Sequence, residues 1–299
     1  MTWPLLVAGD LSVTKDLIGE LSPAFLMLES DVGARGVRKG YLDGPFGQIH
    51  YYDVGRGPEL ILTHQSPVCA RQFEKALPLL AGLGLRAIAI DTPGYGNSDV
   101  PAKPPTISDY ASIFPAVLKG LNLDSAHFLG HHTGAAILTR FAVSHPGLVK
   151  SLILNGPPLL SAADLEPFKD IKHQPPELSI DGSHLRERWD TRIKYTPGWT
   201  DNEAMHRRLV DQLWAGATVW YGHHAAFNYL MEPDFLALSV PSMILTNSGD
   251  DIYYLAQKAR SLRPDFSYQE LRGGTHDIVD EQPEAWSQFV AQFVHSKTV

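Results

Sequence analysis

Five residues, Gly130-His131-His132-Thr133-Gly134, carry the strongest chemical signal in this chain. They follow an apolar run, Ala126-His127-Phe128-Leu129, that reads as a short buried strand. They precede Ala135 to Val143, which reads as a helix. Such a turn is strained, and strand and helix backbones pass so closely that a Cβ at either glycine would clash. The middle side chain is thereby lifted above the sheet edge, and here it is the imidazole of His132. An imidazole can serve as nucleophile, acid or base near neutral pH. A second imidazole stands in Gly273-Gly274-Thr275-His276, after the strand-like run Tyr268-Gln269-Glu270-Leu271, where it suits a general base. Such a base needs a carboxylate to accept its other ring proton. Asp250 and Asp251 follow the strand-like run Ser242 to Thr246 and are the candidates.

Taken in chain order, these landmarks resemble the α/β-hydrolase family from about Tyr41 to Val294. The strand Glu59 to Thr63 leads into His64-Gln65-Ser66-Pro67, where that family usually has His-Gly. Arg86 to Asp91 leads into Thr92-Pro93-Gly94-Tyr95-Gly96-Asn97-Ser98-Asp99, close to the family's D-x-x-G-x-G-x-S. The five-residue turn matches the family's nucleophile elbow, G-x-Nuc-x-G, whose centre is normally Ser, Cys or Asp. The resemblance implies that His276 is the base. Register against the following helix, Leu255 to Leu262, favours Asp251 as its acid, leaving Asp250 as a turn residue or helix cap. It further implies an oxyanion hole from the backbone N–H groups of Ser66 and Thr133. Gln65 replaces a glycine, and its amide is expected in the substrate pocket; His64 is expected to brace the loop beneath the site. For His132 three roles stay open: an acyl-imidazole nucleophile, an acid–base partner of His276, or a pocket wall. The acid–base pair is preferred.

The elements that must position these groups alternate. Tyr41 to Gly55 reads as a hairpin with Asp-Gly-Pro turn chemistry. From Glu59, β-rich runs alternate with amphipathic helices at Gln72 to Leu83, Ile107 to Leu121 and Ala135 to His145. That pattern implies an α/β fold with a mostly parallel, doubly wound sheet. Ligands in such sheets sit beyond the carboxyl ends of the strands. His64, Asp91, His132, Asp251 and His276 all lie at or just after strand ends. The alternation stops after Leu152 to Asn155 and resumes at Pro241, with a Pro-punctuated, mostly helical stretch between. This resembles the family's inserted helical cap. The expected organisation is an N-terminal extension over 1–38, an α/β-hydrolase core over 39–156 and 240–299, and the cap over 157–239. The extension has helical spacing from Leu11 to Leu28; packing on the body and reaching over a partner subunit in a homodimer are both open. Substrate contacts in the cap are expected from His184, Arg186, Trp189, Tyr221, His223 and Tyr229, with Arg186 as the cation that grips a carboxylate.

Bulk properties narrow the class. The chain has 299 residues, 44% hydrophobic and 19% charged, as ordinary globular proteins do. A net charge of −8 and the lack of any basic cluster argue against nucleic acid. No apolar run approaches the ~20 residues that cross a bilayer. One cysteine, Cys69, excludes an internal disulfide, and a cytoplasmic location is expected. The histidines at 64, 131, 132, 223, 224 and 276 do not have convincing metal-ligand spacing, so no metal and no cofactor is expected. The expected activity is hydrolysis of an ester, lactone or similar small carbonyl substrate. Carbon–carbon bond cleavage or another lyase reaction, and a non-catalytic small-molecule receptor, are the alternatives.

Overall fold

The structure is a computed structural model that describes residues 36–168 and 174–298. The expected Leu11 to Leu28 helix lies outside the described residues. A hairpin opens the fold, with β1 (Arg38–Gly44) and β2 (Gly47–Gly55) antiparallel and Pro45-Phe46 between the paired Gly44 and Gly47. Six strands follow: β3 (Glu59–Thr63), β4 (Arg86–Ile90), β5 (Ala126–His131), β6 (Val149–Asn155), β7 (Ser242–Asn247) and β8 (Ser267–Leu271). They form one eight-stranded sheet in the order β1-β2-β4-β3-β5-β6-β7-β8, and every pairing from β4 to β8 is parallel.

The parallel strands are buried on both faces, so their sequences are apolar runs whose alternate residues serve opposite layers. On one side Ile61, Ile88, Phe128 and Leu154 pack in one core. Their neighbours Leu62, Ala89, Leu129 and Ile153 pack in the other. Helices cover each layer. The helices α1 (Ala76–Gly82), α2 (Ile107–Ala111), α3 (Phe114–Gly120) and α4 (Thr133–Ser144) fall between β3 and β6. Inserted between β6 and β7 are α5 (Ala162–Leu165), α6 (Ser183–Tyr195), α7 (Asn202–Ala215), α8 (Tyr221–Phe227) and α9 (Glu232–Ala237). After β7 come α10 (Tyr253–Leu262), α11 (Ile278–Glu281) and α12 (Pro283–Ser296). Helix α12 buries Trp286, Val290 and Val294 against α1, while α3 and α4 lie on the other face.

The helix expected over Ile107 to Leu121 is two helices. Pro115 is the second residue of α3; it has no N–H to offer the carbonyl of Ala111, and the ladder breaks there. The inserted segment is tied to the loop after β4: Thr218 Oγ1 donates to Gly94 O at 2.7 Å, and Trp214 Nε1 donates to Gly96 O at 2.7 Å. The Gly222 amide donates to Tyr95 Oη at 2.6 Å. No helix among the described residues is long and apolar enough to cross a membrane.

Candidate active site

His132 holds φ +46° and ψ −108° between β5 and α4, a region that side chains larger than glycine rarely occupy. Two flanking glycines make this turn feasible. A Cβ on Gly130 would collide with the Gly134 carbonyl group, and one on Gly134 with the Thr63 carbonyl oxygen. The His132 amide donates to Asn155 O at 2.9 Å, and the Asn155 side chain accepts from Trp286 Nε1 at 2.6 Å. Strain at the elbow is thus held by neighbouring strands and by α12.

From that position the His132 ring reaches Asp250: Nε2 stands 2.8 Å from Oδ2. The Asp250 side chain is fully buried and that of His132 is 15% exposed. Burial pulls the imidazole toward its neutral form, but the charge of Asp250, their hydrogen bond and the nearby Asp251 outweigh it and raise the His132 pKa. Burial likewise opposes ionisation of Asp250, yet His132 wins and holds the carboxyl well below its usual range. Each thus favours the charged form of the other. Gly156 makes room for the pair, since a Cβ there would meet His132 Nε2 at 2.6 Å and Asp250 Oδ2 at 2.8 Å. Asp251 moves the other way: burial and its hydrogen bond with Asp250 raise its pKa.

His276 faces the same region, its ring centroid 6.2 Å from that of His132. Its Nδ1 is 3.7 Å from Asp251 Oδ1, beyond hydrogen-bond distance. The pairing expected from sequence register is therefore loose here, and Asp250, expected to serve the turn, is the carboxylate in direct contact with a site histidine. It serves the turn as well, accepting the Ile252 amide at 3.1 Å. On the other side of the ring, Nε2 lies 2.9 Å from Arg192 Nη1. Burial, then the charges of Arg192 and His132, hold the His276 pKa well below the ordinary imidazole value. Arg192 also pairs with the buried Asp277.

Thr133 is the first residue of α4, so its amide is among the helix N-terminal donors that lack an intrahelical acceptor. Ser66 lies in the loop after β3, beside Tyr95 and Gly222. Gln65 departs from expectation. Its side chain donates to Asp277 Oδ1 at 2.9 Å and to His276 O at 3.3 Å, so it braces the loop that carries His276 instead of lining a pocket. Its amide is taken by Gln72 Oε1 at 3.0 Å, and Gln72 Nε2 in turn bonds His131 Nδ1 at 3.1 Å. His64 and Asp91 are likewise absorbed in scaffolding. His64 Nε2 accepts from the Thr92 amide at 3.0 Å. Asp91 accepts from the amides of Ala70 and Asn97 at 2.7 and 2.9 Å, and contacts His50 Nδ1 at 2.8 Å.

In the inserted segment Arg186 does not reach this site. It is 78% exposed and pairs with Asp190 one turn along α6. A side chain that long on a solvent face gains more from water and a neighbouring carboxylate than from the interior. His184 is spent locally, its Nδ1 accepting the Ser179 amide at 3.2 Å. Trp189 is half-buried on the same helix. Tyr221 packs edge-on to Trp220, and His223 stacks on Phe227. The cation that does reach the site is Arg192. Arg186 and Arg192 lie on different faces of α6, and only the second meets His276. Burial pushes the Cys69 thiol well up, which leaves no favoured thiolate there. Among the described residues, no three His, Cys, Asp or Glu side chains are grouped to hold a metal ion.

The family model described as "Alpha/beta hydrolase family" matches residues 62–289. The bifunctional epoxide hydrolase 2 of Rattus norvegicus is 27% identical over 188 residues, 56% of this chain and 33% of that protein. The 2-hydroxy-6-oxononadienedioate/2-hydroxy-6-oxononatrienedioate hydrolase of Burkholderia vietnamiensis is 35% identical over 119 residues, 38% of this chain and 41% of that protein. The matched stretch thus spans well under half the length of either relative. Among solved structures, an epoxide hydrolase from an endophytic Streptomyces superposes with a TM-score of 0.72 at 19% identity, covering 87% of this chain and 96% of that one. That likeness is one of fold. With the sheet order, the strained turn after β5 and a family match across most of its length, the chain belongs to the alpha/beta hydrolase family.

Proposed function

We propose that this protein hydrolyses an ester, lactone or related carbonyl substrate by moving protons between two imidazoles, with no alcohol nucleophile. The observation that carries this reading is the 2.8 Å contact between His132 and the buried Asp250, which favours a charged imidazole at the elbow. Neutral His276 is the base: it takes a proton from water as the water oxygen adds to the carbonyl carbon. The backbone amides of Thr133 and Ser66 receive the oxyanion. Charged His132 is the acid and protonates the departing oxygen as the tetrahedral intermediate collapses. Turnover leaves His276 charged and His132 neutral, and exchange with solvent restores both. We read residues 157–239 as a helical cap over this site. Relatives that carry the name hydrolase, among them the epoxide hydrolases, support water as co-substrate. The same two imidazoles favour a second reading, carbon–carbon bond cleavage, because removing a proton next to a carbonyl requires no alcohol nucleophile.

The test is a panel of activated esters, lactones and epoxides, with product analysis and rapid-mixing kinetics. Wild type is expected to turn over a carbonyl substrate without a burst. His132→Ser puts a hydroxyl at the elbow; it is expected to lose about 10²–10⁴-fold in that turnover and to gain a burst on activated esters through an acyl-serine. Unchanged turnover in His132→Ser would remove His132 from the mechanism. Ligand-induced melting shifts with no turnover of any compound would favour a receptor.

A further inference from the structure

Arg192 is the one side chain from the inserted helices hydrogen-bonded to His276 among the described residues, and it lies outside the usual acid–base inventory. Its side chain is 8% exposed, and its guanidinium forks. One N–H, on Nη1, points to His276 Nε2 at 2.9 Å; the other, on Nη2, goes to Asp277. A guanidinium only donates. Nε2 of His276 is therefore the acceptor, and the ring proton sits on Nδ1, toward Asp251.

Asp277 makes the arrangement informative. Its Oδ2 is 3.6 Å from the same Nε2. Without a cation between them, this buried carboxylate would draw a proton onto Nε2 and turn the ring into a donor. Arg192 stands in that gap. Its Nη2 end is anchored at Asp277, whose own position is fixed. Asp277 accepts from Gln65 and faces Arg208 Nε at 3.4 Å, and Arg208, itself fully buried, lies 2.8 Å from Asp280. We propose that Arg192 is a positioning residue for the base: it keeps Asp277 from claiming Nε2 of His276, holds the ring proton on Nδ1, and swings off Nε2 when water enters to give up its proton. This rests on the reading in which His276 is the base. In the step itself the water O–H bond breaks, its proton goes to Nε2, and its oxygen bonds the carbonyl carbon. The guanidinium keeps its second N–H on Asp277.

The other groups facing His276 act together. Asp250 and Asp251 approach from the loop after β7, His132 from the elbow, Tyr195 from α6 with ring centroids 6.5 Å apart, and Arg208 from α7. Burial is the strongest influence lowering the His276 pKa, and the Arg192 charge comes next. Removing that charge moves the titration up.

The experiment is ¹⁵N NMR of the full chain with labelled histidines, His276 being assigned by the signal lost in His276→Gln. In wild type at pH 7, Nε2 of His276 is expected without a proton and Nδ1 with one. In Arg192→Met the proton is expected on Nε2, with the titration at higher pH, and the acid limb of kcat/KM on an ester substrate should follow by the same interval. A wild-type proton on Nε2 overturns the proposal, as does an Arg192→Met protein with unchanged tautomer and titration. If Arg192→Met does not fold, the wild-type tautomer decides alone. The NMR readout needs no substrate, so it separates failure of this proposal from failure of the hydrolytic reading.

Discussion

Asp250 and Asp251 are adjacent in sequence, yet the structure gives them opposite electrostatic fates. Asp250 is driven down by His132, and Asp251 is driven up by burial and by Asp250. Asp250→Asn removes the charge and the hydrogen bond that chiefly raise the His132 pKa, leaving burial opposed only by the charge of Asp251. Loss of a positioned acid is expected to cost about 10²-fold or more in kcat, whereas Asp251→Asn is expected to cost clearly less. Equal losses in the two variants, measured on the same substrate, would contradict this assignment. At this scale the sequence revealed only part of the site. The elbow glycines, His132 and His276 are legible because sterics and placement after strands constrain them locally. The choice between Asp250 and Asp251 turns on one residue of register in a loop, which only the folded backbone fixes. Arg192 was illegible for a related reason. Arg186 and Arg192 share one helix and one chemistry, and only the docking of α6 decides that the first meets solvent and the second meets His276.

At the level of elements, the strand–turn–helix unit of β5 and α4 fixes the site, and its glycines are steric requirements. Gly134→Ala would drive a Cβ into the Thr63 and His64 carbonyl oxygens, both backbone atoms that cannot rotate away. A loss of about 1–3 kcal/mol or more is expected, as for other overpacked positions. Gly147→Ala is the matched control: nothing lies within 4 Å of a Cβ there, and its backbone is not left-handed. It should be neutral or stabilise by a few tenths of a kcal/mol, up to about 1 kcal/mol. Urea unfolding of the two variants checks the contrast, and equal effects would refute the steric argument. The strands were legible because each carries an apolar run between turn signals. Helix ends were less so: the pattern over Ile107 to Leu121 has one continuous apolar face, and only Pro115 betrays the break.

For the whole molecule, the same histidines set how stability varies with pH. His64, His127, His131 and His276 all have pKa values lowered chiefly by burial, that of His127 to about 4. In the unfolded chain each protonates near 6.5. Below that pH the unfolded state binds more protons than the folded one, so their contribution is complete above 6.5 and is lost as pH falls. Each pH unit of lowering is worth about 1.4 kcal/mol. Asp211 and Asp251, both raised, soften the acid end in the opposite sense. His132 has the reverse sign to the other histidines. Its pKa is raised, so its contribution is complete below 6.5 and is lost as pH climbs through the folded value. Stability should therefore rise from pH 5 toward neutrality and then decline toward pH 8, a range below the titration of Cys69 and the tyrosines. In His132→Ser the acid limb should persist while the decline above neutrality disappears, because the raised imidazole is gone. Urea midpoints for both proteins at half-unit steps across pH 5–8 measure this. A wild-type profile that is flat between pH 5 and 7 would sink the account of the buried neutral histidines. A decline above pH 7 that survives in His132→Ser would show that some group other than the elbow histidine carries it.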